Sequence, residues 1–102
     1  MLQFKIGVQL VVTKAINEIL YGVETVYRGF DVPCVVTSGT DGVHGKQSKH
    51  YTGEALDFRI RDLKPEQRDS LVKLCQQRLG QGFDVVLEQN HLHVERDDHK
   101  EI

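Results

Sequence analysis

The chain has 102 residues, 13 Lys or Arg against 15 Asp or Glu, and a formal charge of −2. A length of this order supports one domain, spanning 1–102, with a single modest core. The charge balance gives no electrostatic reason to expect nucleic acid or an anionic membrane as partner, and the basic residues are scattered instead of forming a run that tracks phosphates. Apolar stretches such as Leu10-Val11-Val12 fall far short of the roughly 20 residues that a membrane span requires.

The opening Met1-Leu2-Gln3-Phe4-Lys5 lacks the basic region, apolar stretch and small-residue cleavage site of a secretory signal, so a protein retained in the cytoplasm as synthesised is expected. From Gln9 to Arg28, apolar residues recur at three- and four-residue intervals through Val12, Ala15, Ile16, Ile19, Leu20, Val23, Val26 and Tyr27. This spacing predicts one face of a long amphipathic helix, with Gly29 as its stop. After Pro33 the short β-branched run Cys34-Val35-Val36-Thr37, closed by Ser38-Gly39, reads as a strand.

Gly39 to Tyr51 has no apolar period and is rich in Gly, Asp, Ser and Thr, which predicts a loop carrying His44 and His50. Leu56, Phe58 and Ile60 then alternate with Ala55, Asp57, Arg59 and Arg61, as in a strand with one dry and one polar face. Pro65 suits the first turn of a second helix, whose stripe is Leu71, Val72, Leu74, Cys75 and Leu79 up to Gly80. Phe83 to Leu87 reads as a further strand and Asn90 as a turn before the last one. Residues from Arg96 onward, including His99, read as a charged, frayed tail.

In the last strand His91, His93 and Glu95 share a face opposite Leu92 and Val94, because side chains two apart on a strand point the same way. If this strand neighbours the one bearing Asp57 in an antiparallel sheet, Asp57 and His93 approach within a few ångströms. Cys34 and Cys75 stand in unrelated contexts, one in a strand and one in a helix. Buried, inert thiols in a reducing compartment are expected of them, not a disulfide framework or a thiolate-rich zinc site. The imidazoles and the carboxylate of the two segments Ser48–Phe58 and Asn90–Glu95 could instead hold one Zn²⁺ through three N or O donors with a position left open, the pattern of catalytic zinc.

The motif Ser48-x-His50-x-x-Gly53-x-Ala55-x-Asp57, followed by His91-x-His93, resembles peptidase family M15, the zinc D-Ala-D-Ala carboxypeptidases and L,D-endopeptidases that cut bacterial peptidoglycan stem peptides. The resemblance runs from about Val35 to Glu95. It implies an α+β fold of the Hedgehog/DD-peptidase kind, a small mostly antiparallel sheet with two helices packed on one face. It implies one zinc per chain held by His50, Asp57 and His93, with His91 as the unligated general base and acid. In some members a Glu three residues before the last ligand is the base; here that place holds Asn90, and Glu88 and Glu95 are lesser candidates.

Ser48, Arg59, Glu95 and Asp41 are candidates for binding substrate or orienting a ligand. Many members carry an Arg shortly after the Ser-Gly that closes the early strand; this chain reads Ser38-Gly39-Thr40-Asp41. Arg59, ahead of Lys46 and Lys49, is the expected substitute for that oxyanion donor, or Asp41 recognises an amino group of a different stem peptide. His44 could bind substrate or stand in as a ligand. Bacterial peptidoglycan is the expected partner and a monomer the expected state. A bacteriophage or prophage lytic enzyme, released through a pore or carried in the virion, reconciles a wall substrate with the missing signal. The alternative is a virion or wall-associated module of the same fold that binds metal without hydrolysis.

Overall fold

The computed structural model describes residues 1–41 and 53–97. Within them the chain forms β1 (Leu2–Phe4), α1 (Lys14–Gly29), β2 (Cys34–Ser38), β3 (Ala55–Arg59), α2 (Pro65–Leu79), β4 (Phe83–Leu87) and β5 (His91–Arg96). The strands make one open sheet in the order β1-β2-β3-β5-β4. The β1–β2 pair is parallel and the remaining pairs are antiparallel. The architecture is α+β, as the sequence pattern predicts, and no helix among the described residues is long and apolar enough to cross a membrane.

Both helices contribute to one core on one side of the sheet. Ile16, Ile19, Val23 and Tyr27 of α1 and Leu71 and Cys75 of α2 cluster with Val36, Leu56, Phe58, Val85, Leu92 and Val94 of the strands. Burying such side chains contributes about 1.5–3 kcal/mol each, which is what holds two short helices on a five-stranded sheet. Tyr27 is fully buried, and its hydroxyl donates to the Arg59 carbonyl at 2.7 Å. That bond satisfies the phenol and anchors the end of β3, and burial pushes the Tyr27 pKa far up. Cys34 and Cys75 are free and buried, and desolvation raises each thiol to about 12.

Helix α1 begins five residues later than its periodicity predicts. Thr13 is the N-cap, its Oγ1 accepting from the Ile16 N–H at 3.0 Å and donating to the Gly53 carbonyl at 2.7 Å. The stretch before it is committed elsewhere: the Gln9 N–H donates to Asp41 Oδ1 at 2.9 Å and the Gln9 carbonyl accepts from the Thr40 N–H at 2.6 Å. The contact with this stretch is so close that a Cβ at Gly39 would collide with the Gln9 carbonyl. At the other end Gly29 remains helical, Phe30 caps, and Asp31 takes the positive φ of 59°.

The β1 strand lies outside the sequence expectation, and Arg96 belongs to β5 rather than to a tail, its guanidinium 5.8 Å from the Phe83 ring centre. Helix α2 follows its predicted span, with Gln76 joining it to β4 by donating to the Gly80 and Phe83 carbonyls at 2.9 and 2.7 Å. Leu74, expected in its buried stripe, is 44% exposed. The expected extension of β3 to Arg61 is cut short at Arg59.

Candidate functional site

On the sheet face away from the helices, β3 and β5 set their polar residues directly opposite one another. Asp57 pairs with His93, Arg59 with His91 and Ala55 with Glu95. The face is not a plain solvated one, as the alternation alone suggests. Ala55 is buried, and Asp57, at 9% exposure, is the one charged residue that is buried among the described residues.

His93 sits between two carboxylates. Its Nδ1 lies 2.9 Å from Asp57 Oδ1 and its Nε2 lies 2.8 Å from Glu95 Oε1. Both ring nitrogens therefore face acceptors, which favours the doubly protonated ring. The hydrogen bond to Asp57 is the largest cause raising the His93 pKa to about 9; burial opposes it and the bond to Glu95 adds to it.

His91 stands beside this pair, its Nε2 3.7 Å from Asp57 Oδ1. Its Nδ1 is 2.7 Å from Asn90 Oδ1. With that oxygen accepting, Nδ1 carries the proton of the neutral ring and Nε2 is the basic nitrogen, turned toward Asp57. Sequence reasoning discounted Asn90 because an amide cannot act as a base. Its position orients the neighbouring imidazole instead, and the only sequence signal for that is its adjacency to His91.

An open depression of about 450 Å³ adjoins the pair, with Asp57 and His91 on its lining together with Lys5, Arg59 and Arg61. Arg59 thus lies on the same lining as Asp57 and His91. Lys5 and Arg61 were not singled out from sequence, since a Lys after an unrecognised strand and an Arg past a strand end carry no pattern. Asp41 has a structural engagement that sequence could not reveal: its Oδ1 accepts from the N–H groups of Gln9 and Gly39, each at 2.9 Å. The Glu88 side chain is exposed in the turn before β5. The expectations for Ser48, His50, His44, Lys46, Lys49 and His99 lie outside the described residues.

Among the described residues no group of three or more His, Cys, Asp or Glu side chains is arranged to hold a metal ion. Asp57 and His93 nevertheless offer an oxygen and a nitrogen of the kind zinc takes. Two donors on a tetrahedral zinc, each about 2.0 Å from it, are roughly 3.3 Å apart. The 2.9 Å between Asp57 Oδ1 and His93 Nδ1 would need to open by only a few tenths of an ångström once the proton between them leaves. Glu95 on Nε2 matches the carboxylate that commonly holds the far nitrogen of a metal-ligating histidine. The donor chemistry therefore fits the ion.

No protein-family model matches the chain, and no curated protein matches it either.

Proposed function

We propose that the chain is a zinc-dependent metallopeptidase that hydrolyses peptide bonds of peptidoglycan stem peptides or cross-links, with a fold of the Hedgehog/DD-peptidase kind. The observation that carries the reading is the placement of Asp57 opposite His93, with His91 on the same face and its Nε2 toward the pair. The resemblance of the two motifs to peptidase family M15 supplies the substrate class.

In this reading His50, Asp57 and His93 would hold the ion, and Glu95 would keep the His93 ring in the tautomer that presents Nδ1. When bound, zinc would supply a water acidified toward roughly 7 and polarisation of a carbonyl. His91 takes a proton from the attacking water on Nε2 and delivers it to the departing amine, while Asn90 fixes the ring by its Nδ1. Arg59 supplies positive charge beside the oxygen that gains negative charge in the transition state.

The test is release of muropeptides from purified peptidoglycan by the zinc-loaded protein. The His91→Ala variant is expected to retain zinc and lose cleavage by at least a hundredfold; cleavage at the wild-type rate in that variant overturns the role of His91. A second reading, a non-hydrolytic metal-binding component of a virion or cell wall, is favoured by Asp41. It occupies the place of the family Arg and spends its Oδ1 on the backbone of Gln9 and Gly39. Zinc binding without cleavage of any peptidoglycan would favour it.

A further inference from the structure

We propose that the Gln76 side chain stands in for a neighbouring strand along the outer edge of β4, and that this edge, once released from Gln76, pairs with β4 of a second copy of the chain. The proposal is independent of the peptidase reading.

β4 closes the sheet order, so among the described residues no strand pairs with its outer side. An edge of this kind presents a row of backbone N–H and C=O groups that can pair with another chain. The opposite edge, β1, has three residues and is followed by Lys5; shortness and lysine both guard an edge against such pairing. β4 has neither. Phe83-Asp84-Val85-Val86-Leu87 contains no Pro or Lys and has Asp84 as its single charge, and Val86 is 44% exposed.

Alternation assigns the backbone groups of β4. The Asp97 N–H donates to the Gly82 carbonyl at 2.7 Å and the Glu88 N–H to the His91 carbonyl at 2.9 Å. Even-numbered residues therefore turn toward β5, and Phe83, Val85 and Leu87 turn their N–H and C=O groups outward. Gln76 reaches from α2 across that outer side. Its Nε2 donates to the Phe83 carbonyl at 2.7 Å and its Oε1 accepts from the Val85 N–H at 3.3 Å. One side-chain amide thus supplies the donor and the acceptor that a paired backbone would supply. The same Nε2 donates to the Gly80 carbonyl at 2.9 Å, which fixes the side chain over the turn into β4.

Without that amide the edge is self-complementary. In an antiparallel two-fold pair centred on Val85, Val85 exchanges N–H and C=O bonds with Val85 of the other copy, and Phe83 does so with Leu87 of the other copy. Asp84 then lies opposite Val86 of the other copy, so no like charges meet. With Gln76 in place the Val85 N–H and the Phe83 carbonyl are engaged. Every bond at the centre is lost, and so is the bond of the Phe83 carbonyl at either end. The side chain therefore blocks the pairing that the strand's own composition permits.

The experiment is sedimentation equilibrium of the full chain and of Gln76→Ala over a range of concentrations, with amide exchange followed by NMR and the fold checked by circular dichroism. Wild type is expected to stay monomeric and to exchange the Val85 N–H slowly. Gln76→Ala is expected to form a discrete dimer, associating at least about a hundredfold more tightly than wild type. Adding Val86→Asp, which faces Asp84 of the other copy, should return that variant to a monomer, whereas adding Val86→Lys should keep the dimer. Should Gln76→Ala unfold, Gln76→Met, which keeps the side chain's length without either hydrogen bond, replaces it with the same expectations. A folded variant that stays monomeric, a dimeric wild type, rapid exchange at Val85 in wild type, or association indifferent to the charge placed at position 86 overturns the proposal.

Discussion

Asp57 and His93 stand directly opposite each other in the β3–β5 ladder, with the Asp57 carboxylate 2.9 Å from His93 Nδ1. The register makes this contact: each residue is on the face away from the core, and antiparallel pairing brings opposed side chains within reach. A shift of one residue would turn His93 into the core and Val94 out of it, so the buried Leu92 and Val94 enforce the position of the histidine.

Removing the carboxylate should cost both stability and metal. Asp57→Ala removes one of the two carboxylates that face the His93 ring among the described residues and opens a partly buried polar site, for an expected loss of about 1–3 kcal/mol and of bound zinc. Urea denaturation of the chelated protein checks the first and elemental analysis the second. A variant as stable as wild type would show that the pair is not holding β3 to β5.

The metal-free protein should lose stability with rising pH. His93 binds its proton more tightly when folded, its pKa raised from 6.5 to about 9, so between these values the folded state carries more protons than the unfolded one. The stabilisation is fully present below about pH 6.5 and fades as pH climbs through about 9. Denaturation midpoints of chelated protein should fall across this window, and fall less in His93→Gln. Parallel profiles for the two proteins would contradict the raised value.

Zinc uptake should show the same proton in reverse. Below about pH 9 the ion must displace it from His93, so apparent affinity is expected to rise about tenfold per pH unit toward that value. Glu95→Gln, which keeps a hydrogen-bonding group near Nε2 but removes its charge, should weaken zinc by about 10–100-fold. Competition with a chromophoric chelator measures both; an unchanged affinity in Glu95→Gln would remove Glu95 from the site.

Thr13 should matter beyond capping a helix. It satisfies the Ile16 N–H and ties α1 to the Gly53 carbonyl ahead of β3, so Thr13→Ala should cost about 1–2 kcal/mol in a denaturation midpoint. Gly53 adopts φ of +73°, and a Cβ there would lie 3.1 Å from Thr13 Cγ2; Gly53→Ala should cost at least about 1 kcal/mol. Near-neutral effects from both would mean that this junction is not fixed.

Much of this arrangement is legible in the sequence because period-2 alternation is strong in β3 and β5. Leu56, Phe58, Leu92 and Val94 announce their dry faces, and the motif order places Asp57 and His93 on the other. What is missed has physical reasons. Three residues of β1 are too few to show a period. The late helix start depends on Thr13 bonding to Gly53, 40 positions away. The helical spacing that runs back to Val12 is overridden because Gln9 is held by Thr40 and Asp41. Asp57 reads as surface, since alternation cannot reveal that its polar face is itself partly covered. The cations of the depression converge only after β1, β2 and β3 are in register.

The measurement that bears most directly on the proposed metal site is the zinc content of the native protein beside His50→Ala and His93→Ala, with each variant's fold checked by circular dichroism. One zinc per chain in the native protein, lost from both folded variants, is the expected result. A native protein that takes up no zinc, or variants that retain it in full, would contradict the account.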